Sequence, residues 1–249
     1  MTGNLEAMEH AASRQFPLED IHWFARVSGD PNPVHIDQEF AARSPPGAVI
    51  AHGLHLVMWA LETLPHTDTM LETGMTTVFL KPVIVGDSVQ AEVAKPGVIR
   101  LLARGEVAAN VKMKGGRPPE RWSGRGGSHP PAYPPVVQAL ADPLARPCGA
   151  LRLPDARDEL LAAFPDLGAR VGARVLQGLA GIATVSGAVL GGMTTEFSVE
   201  FSADEPGENL EYRVLSYHPA LRRYEMAFWG YGLIGKVAAI SGGEDAPGA

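Results

Sequence analysis

The chain repeats one order of elements on either side of a Pro/Gly-rich stretch, and that repetition constrains its fold more than any single motif. In the first half, the nearly all-apolar segment His52 to Leu64 carries Leu54, Val57, Met58 and Leu61 at helical spacing, which predicts a helix buried on all sides. Strand patterns follow at Thr76-Thr77-Val78-Phe79-Leu80, continuing through Lys81-Pro82-Val83-Ile84-Val85; beyond a Gly86-Asp87 turn come Ser88 to Val93, Val98 to Ala103 and Glu106 to Met113. In the second half, the Gly/Ala-rich apolar segment Val171 to Leu190 precedes Thr194-Thr195-Glu196-Phe197-Ser198-Val199. A turn over Glu205 to Asn209 then leads to Leu210 to Tyr217, Tyr224 to Tyr231 and Leu233 to Ile240. The shared Thr-Thr-x-Phe after a buried helix, with a Gly-marked turn beyond it, points to a duplicated α+β unit of one helix and an antiparallel sheet.

Between the halves, residues 115–135 read GGRPPERWSGRGGSHPPAYPP. Such a segment lacks apolar periodicity and reads as a linker or mobile loop. Its Arg117, Arg121 and Arg125 give it local positive charge. The expected organisation is therefore a first unit over 1–114, the linker over 115–135 and a second unit over 136–249.

A length of 249 residues with 45% hydrophobic and 20% charged residues suits two packed units. The net charge of -7 and the absence of a long Lys/Arg track argue against nucleic-acid binding. Cys148 is the single cysteine, which excludes an intrachain disulfide framework and fits a reducing cytoplasm. The first residues carry Glu6, Glu9 and His10 and lack the apolar run of a secretory signal. Gly, Pro or charge breaks the apolar stretches, so no membrane span is expected.

The run Ser28-Gly29-Asp30-Pro31-Asn32-Pro33-Val34-His35-Ile36-Asp37 places a carboxylate and an imidazole five residues apart in a stiff turn. Two readings stand on these residues alone. Asp30 and His35 could hold and deprotonate one water between them, or the run is a surface turn whose Asp and Asn bond local amides. Asp37 is placed to cap a helix beginning at Gln38, Glu39, Phe40 and Ala41.

This run, with Phe24-Ala25-Arg26-Val27 before it, Phe40-Ala41 and Ile50-Ala51-His52-Gly53-Leu54 after it, and Phe79-Leu80-Lys81-Pro82-Val83 and Val85-Gly86-Asp87 downstream, resembles the MaoC-like, or R-specific enoyl-CoA hydratase type 2, family. The resemblance covers about Phe16 to Lys114. It implies the hot-dog fold, an antiparallel sheet wrapped around a central helix, here as two hot dogs in one chain. Because Asp-x-Asn-Pro-x-His does not recur between Pro135 and the second apolar helix, the second unit is expected to be non-catalytic and to supply packing and a wall of the substrate tunnel.

The same resemblance implies reversible syn hydration of a trans-2-enoyl thioester to an R-3-hydroxyacyl thioester. Asp30 and His35 are then the catalytic pair. Gly53 offers its backbone N–H to the thioester oxygen at a helix N-terminus, Asn32 pins the turn, and His52 lines the site or caps the helix. His55 reads as a core or tunnel-wall histidine. No metal and no separate cofactor are implied, since coenzyme A or an acyl-carrier phosphopantetheine belongs to the substrate. The expected partners are accordingly an acyl-CoA or an acyl carrier protein, with room for a homodimer of double hot dogs. A hot-dog thioesterase and a non-catalytic acyl-thioester-binding scaffold are the competing readings. Ser44-Pro45-Pro46-Gly47, Trp59 and Leu61 depart from the family pattern; they point to a differently shaped acyl pocket, or Trp59 is equally read as ordinary core.

Overall fold

The structure is a computed structural model that describes residues 11–63, 73–114, 148–190, 192–202 and 207–241. The expected linker over 115–135, with its three arginines, lies outside the described residues.

The elements of the first unit run β1 (Ala11–Gln15), α1 (Leu18–Ser28), α2 (Pro33–Ile36), α3 (Gln38–Arg43), α4 (Gly53–Thr63), β2 (Gly74–Phe79), β3 (Ser88–Lys95), β4 (Val98–Ala103) and β5 (Glu106–Lys114). Those of the second run β6 (Cys148–Leu151), α5 (Arg157–Ala163), α6 (Pro165–Val171), α7 (Ala173–Leu190), β7 (Gly192–Phe201), β8 (Leu210–His218), β9 (Arg223–Gly230) and β10 (Leu233–Ser241). The strands form one antiparallel sheet in the order β1-β3-β4-β5-β2-β7-β10-β9-β8-β6. Read inward from either edge, the sequence of strands is the same: a first strand, a three-strand meander, then the strand that follows the long helix. The fold is two hot dogs side by side, joined by pairing of β2 with β7 from Gly74↔Glu200 to Val78↔Glu196.

The structure extends the sequence echo. β2 opens Gly74-Met75-Thr76-Thr77 and β7 opens Gly192-Met193-Thr194-Thr195, and both units close their last hairpin through two left-handed residues, Arg104-Gly105 and Tyr231-Gly232. At Gly74, φ is +144° and a β-carbon would overlap the carbonyl oxygen of Val199. Glycine there lets the two sheets meet.

The helices follow from local sequence. In α1, Ile21, Phe24 and Val27 recur at helical spacing and are buried, and Gly29 closes it in the left-handed region at φ 77° with its N–H on Ala25 O. Every side chain from Leu54 to Leu61 of α4 is buried, as the all-apolar pattern requires. α4 packs against α7, with β4 beneath the first and β7 and β10 beneath the second. Trp59 belongs to this core, edge-on to Phe16 with ring centroids 5.5 Å apart.

One expected strand is absent. Lys81 to Val85 does not continue β2; only Ile84 forms a bridge, to Ile50. Pro82 has no N–H to give a ladder, and the neighbouring groups turn elsewhere: Ala51 N–H donates to Val83 O and Val85 N–H to Val49 O. The segment thus braces the loop that leads into α4. No helix among the described residues is long and apolar enough to cross a membrane.

Candidate active site

Burial bears on the two readings of the Asp30–His35 run. Asp30 is 2% exposed and His35 8%, so the run is no surface turn. It leaves the capped end of α1 and is held by its own side chains: Ser28 Oγ accepts the Asp30 N–H, Asp30 Oδ1 accepts the Asn32 N–H, and Asn32 Oδ1 accepts the Val34 N–H. With Pro33 at its first position, Asn32 thereby caps α2, the short helix that carries His35. Asp37 caps α3 through the N–H groups of Glu39 and Phe40, as its position in the sequence predicts.

His35 Nδ1 lies 2.8 Å from Ile50 O. A carbonyl only accepts, so Nδ1 carries the proton and the neutral ring presents its Nε2 lone pair to Asp30. Asp30 Oδ2 stands 4.0 Å from that nitrogen, too far for a direct hydrogen bond. A water at about 2.8 Å from each atom would subtend an angle of roughly 90°, close to its bonding geometry.

Burial pushes the Asp30 carboxyl above its ordinary range, against the pull of His35 and the Asn32 N–H. Burial likewise pushes His35 down, against Asp30 and the Ile50 carbonyl. Both groups are thereby biased toward their uncharged forms, which leaves His35 neutral near pH 7.

His52 lies behind the pair. Its ring stacks on His35 with centroids 3.8 Å apart, and its Nε2 is 3.4 Å from Asp30 O. Burial, then the neighbouring His35 and His55, hold its pKa well below the ordinary value. His55 lies in an aromatic box, stacked on Phe24 at 4.6 Å and edge-on to Phe16 and Phe164. It faces the core and not the cavity.

The pair opens into a cavity of about 190 Å³ whose walls include Asp30, Asn32, His35, Gly53 and Phe79. Gly53 begins α4, where the first N–H groups have no intrahelical acceptor. The second unit contributes Ala183, Gly192, Met193, Thr194 and Thr195 to the same cavity. The structure thus brings together Asp30, His35, Asn32 and Gly53 on the cavity and sets His52 behind His35.

Asp30, His35 and His52 each offer one ligand atom within 4.8 Å of the others. A tetrahedral ion with bonds of about 2.0–2.1 Å would draw ligand atoms to roughly 3.4 Å apart. The 4.0 Å between Asp30 Oδ2 and His35 Nε2 is wider than this. The 4.0 Å spacing suits a bridging water better than a tetrahedral metal.

Residues 5–116 match the family model of the MaoC like domain. Over these residues the chain is similar to that family. Over 103 residues it is 34% identical to a 3-hydroxybutyryl-CoA dehydratase of Methylorubrum extorquens, covering 40% of this chain and 66% of that protein. Over 85 residues it is 35% identical to an (R)-specific enoyl-CoA hydratase of Aeromonas caviae, covering 32% of this chain and 63% of that protein. The chain thus spans slightly less than two thirds of the length of these curated relatives.

Beyond these residues the likeness is one of fold. A solved MaoC-like dehydratase superposes with a TM-score of 0.56 at 14% identity, covering 95% of this chain and 99% of that one. The full-length peroxisomal multifunctional enzyme type 2 of Drosophila melanogaster gives a TM-score of 0.53 at 9% identity, covering 92% of this chain and 48% of that one. Both superpositions extend past residue 116 into the second unit.

Sequence reasoning missed the individual residues by which that second unit reaches the site. Gln177 Nε2 donates to Val27 O, Thr184 Oγ1 to Ser28 O, and Asn32 Nδ2 to Gly192 O. The duplicated Thr-Thr was the available signal for β7. Gln177 and Thr184 stand in no motif.

Proposed function

We propose that the protein catalyses reversible hydration of an acyl thioester, converting a trans-2-enoyl group to an R-3-hydroxyacyl group on coenzyme A or an acyl-carrier phosphopantetheine. The observation that carries this reading is the 4.0 Å interval between Asp30 Oδ2 and His35 Nε2, opening on a cavity at the start of α4.

In hydration, Asp30 and His35 hold one water and take its proton as the oxygen bonds to the β-carbon. The C=C electrons pass toward the thioester oxygen, and the pair returns a proton to the α-carbon on the same face. The two groups are assigned jointly because they titrate as a coupled unit. Charge on the thioester oxygen is stabilised by the Gly53 N–H with the α4 dipole behind it. Dehydration runs the same steps backward. A cavity near the ~150 Å³ size that accommodates benzene suits a short acyl group.

The test is incubation with crotonyl-CoA, following enoyl absorbance and free thiol together. Loss of absorbance without thiol release supports the hydratase. Thiol release would instead make the protein a thioesterase, and no change with CoA-linked or carrier-linked substrate would leave an acyl-thioester-binding scaffold. Asp30→Asn and His35→Ala should each lower kcat by on the order of 10²-fold or more while the circular dichroism spectrum stays that of the wild type.

A further inference from the structure

We infer that helix α7 of the second unit is the positioning element for Asp30, and that Gly187 is the residue on which this positioning turns. The inference rests on the acid/base role proposed for Asp30.

The second unit lacks the Asp-x-Asn-Pro-x-His run, yet its long helix lies directly beneath that run in the first unit. Gln177 holds the Val27 carbonyl at 3.0 Å and Thr184 the Ser28 carbonyl at 3.2 Å. These belong to the last turn of α1, whose carbonyls lack intrahelical donors. The take-off point of the Asp30 turn is therefore fixed by side chains about 150 residues away. Gln177 is itself immobilised, because its Oε1 accepts the Ala156 N–H at 3.0 Å.

One turn beyond Thr184, the helix meets Asp30 itself. A β-carbon on Gly187 would lie 2.8 Å from Asp30 Oδ1 and 3.6 Å from Asn32 Nδ2. A 2.8 Å carbon–oxygen approach is well inside van der Waals contact, so a methyl group there must push the carboxylate aside. Oδ1 is the oxygen that accepts the Asn32 N–H at 3.2 Å. Its displacement would loosen that bond and change the 4.0 Å interval between Oδ2 and His35. Glycine in a helix interior is less favourable than alanine. At this position it leaves the slot that the carboxylate occupies.

The experiment compares Gly187→Ala with Gly181→Ala. Gly181 lies on the same helix, and the three atoms nearest to its β-carbon would all belong to Leu153 of the second unit. Gly187→Ala should lower kcat for crotonyl-CoA by roughly 10- to 100-fold, since a displacement of about 1 Å has that scale of effect, with KM within a few-fold of wild type. The acid limb of its kcat–pH profile should move to higher pH. Added burial, weaker contact with His35 and a looser Asn32 N–H bond all act in that direction on Asp30, with His52 the other titratable side chain close by. Gly181→Ala should leave the acid limb unmoved whatever it does to Tm.

A second pair needs no new methyl group: Thr184→Val should lower kcat, and Thr184→Ser, which keeps the hydroxyl, should restore it. Wild-type kcat and acid limb in Gly187→Ala, or equal effects of the two alanines on the acid limb, would overturn the inference. Should wild-type protein prove inactive, the proposed function fails first. Carboxyl NMR titration of Asp30 in wild type and Gly187→Ala then tests the positioning directly, and an unchanged Asp30 pKa would overturn it.

Discussion

Asn32 Nδ2 donates to Gly192 O at 3.2 Å, a single bond that fastens the turn carrying Asp30 to the first residue of β7. The other end of the same side chain caps α2 at Val34 N–H. Asn32→Asp separates the two roles. Aspartate caps a helix as well as asparagine, but it has no donor for Gly192 and sets a second carboxylate beside Asp30. Asn32→Asp should therefore lose about 1–3 kcal/mol in urea unfolding, the scale for an unsatisfied buried group, and should lose kcat more than it raises KM. Wild-type stability and kcat would show that the bond does nothing.

His55 makes the acid response of the fold measurable. Burial, then the nearby Arg14, lower its pKa from 6.5 to about 3. The folded value lies below the unfolded one, so the unfolded chain takes up the proton first. The stability of the neutral form is fully present above pH 6.5 and is lost as pH falls from there through about 3. His35 and His52 are shifted in the same direction and add to the slope. His55→Phe preserves the stack on Phe24 and removes the titration. Its unfolding free energy from urea titration should fall less steeply than that of wild type between pH 6.5 and 4, the difference approaching about 1.4 kcal/mol per pH unit. Parallel slopes would rule His55 out as the acid-sensitive group.

The meander strands were legible because their turns are spelled out. The ends of β4 and β5 fall on either side of Arg104-Gly105, and β9 and β10 on either side of Tyr231-Gly232. Lys81 to Val85 misled because β-branched residues make a strand pattern even where a proline and the α4 loop claim the backbone. β1 and β6 are short edge strands, and Ala11-Ala12-Ser13-Arg14-Gln15 has no apolar alternation to mark it. At the site, Asp30, Asn32, His35 and Gly53 lie within one stretch of local sequence and could be read from it. Gly187 and Gln177 could not, because their significance comes only from side chains and carbonyls about 150 residues distant.

Glu62 also joins the units. Its carboxylate accepts the N–H groups of Asp166 and Leu167 at 3.0 and 2.7 Å, capping α6, whose own N-cap residue Phe164 makes no side-chain bond. Arg170 of α6 returns a bond to Leu61 O near the end of α4. Each helix thus closes the other's end. Glu62→Ala should lower the unfolding free energy by about 1–2 kcal/mol, the scale for a lost cap, and Glu62→Gln, which keeps the acceptor, by less. Equal losses in thermal or urea unfolding would mean that charge, and not capping, is what Glu62 supplies.

Gly53 is constrained by a ring as well as by its proposed task. A β-carbon there would lie 2.6 Å from Phe79 Cε1 and 2.7 Å from Cζ, and Phe79 lines the cavity proposed to receive the substrate. The backbone of Gly53 needs no left-handed conformation, so alanine is excluded by that ring alone. In Gly53→Ala the ring end must shift, and it borders the cavity. KM for crotonyl-CoA should rise and kcat fall, together on the order of 10-fold or more in kcat/KM. Adding Phe79→Leu removes the ring end and should restore much of KM while leaving the N–H of residue 53 at the start of α4. If the double variant is no better than Gly53→Ala, the glycine is required by something other than Phe79, and the steric account fails.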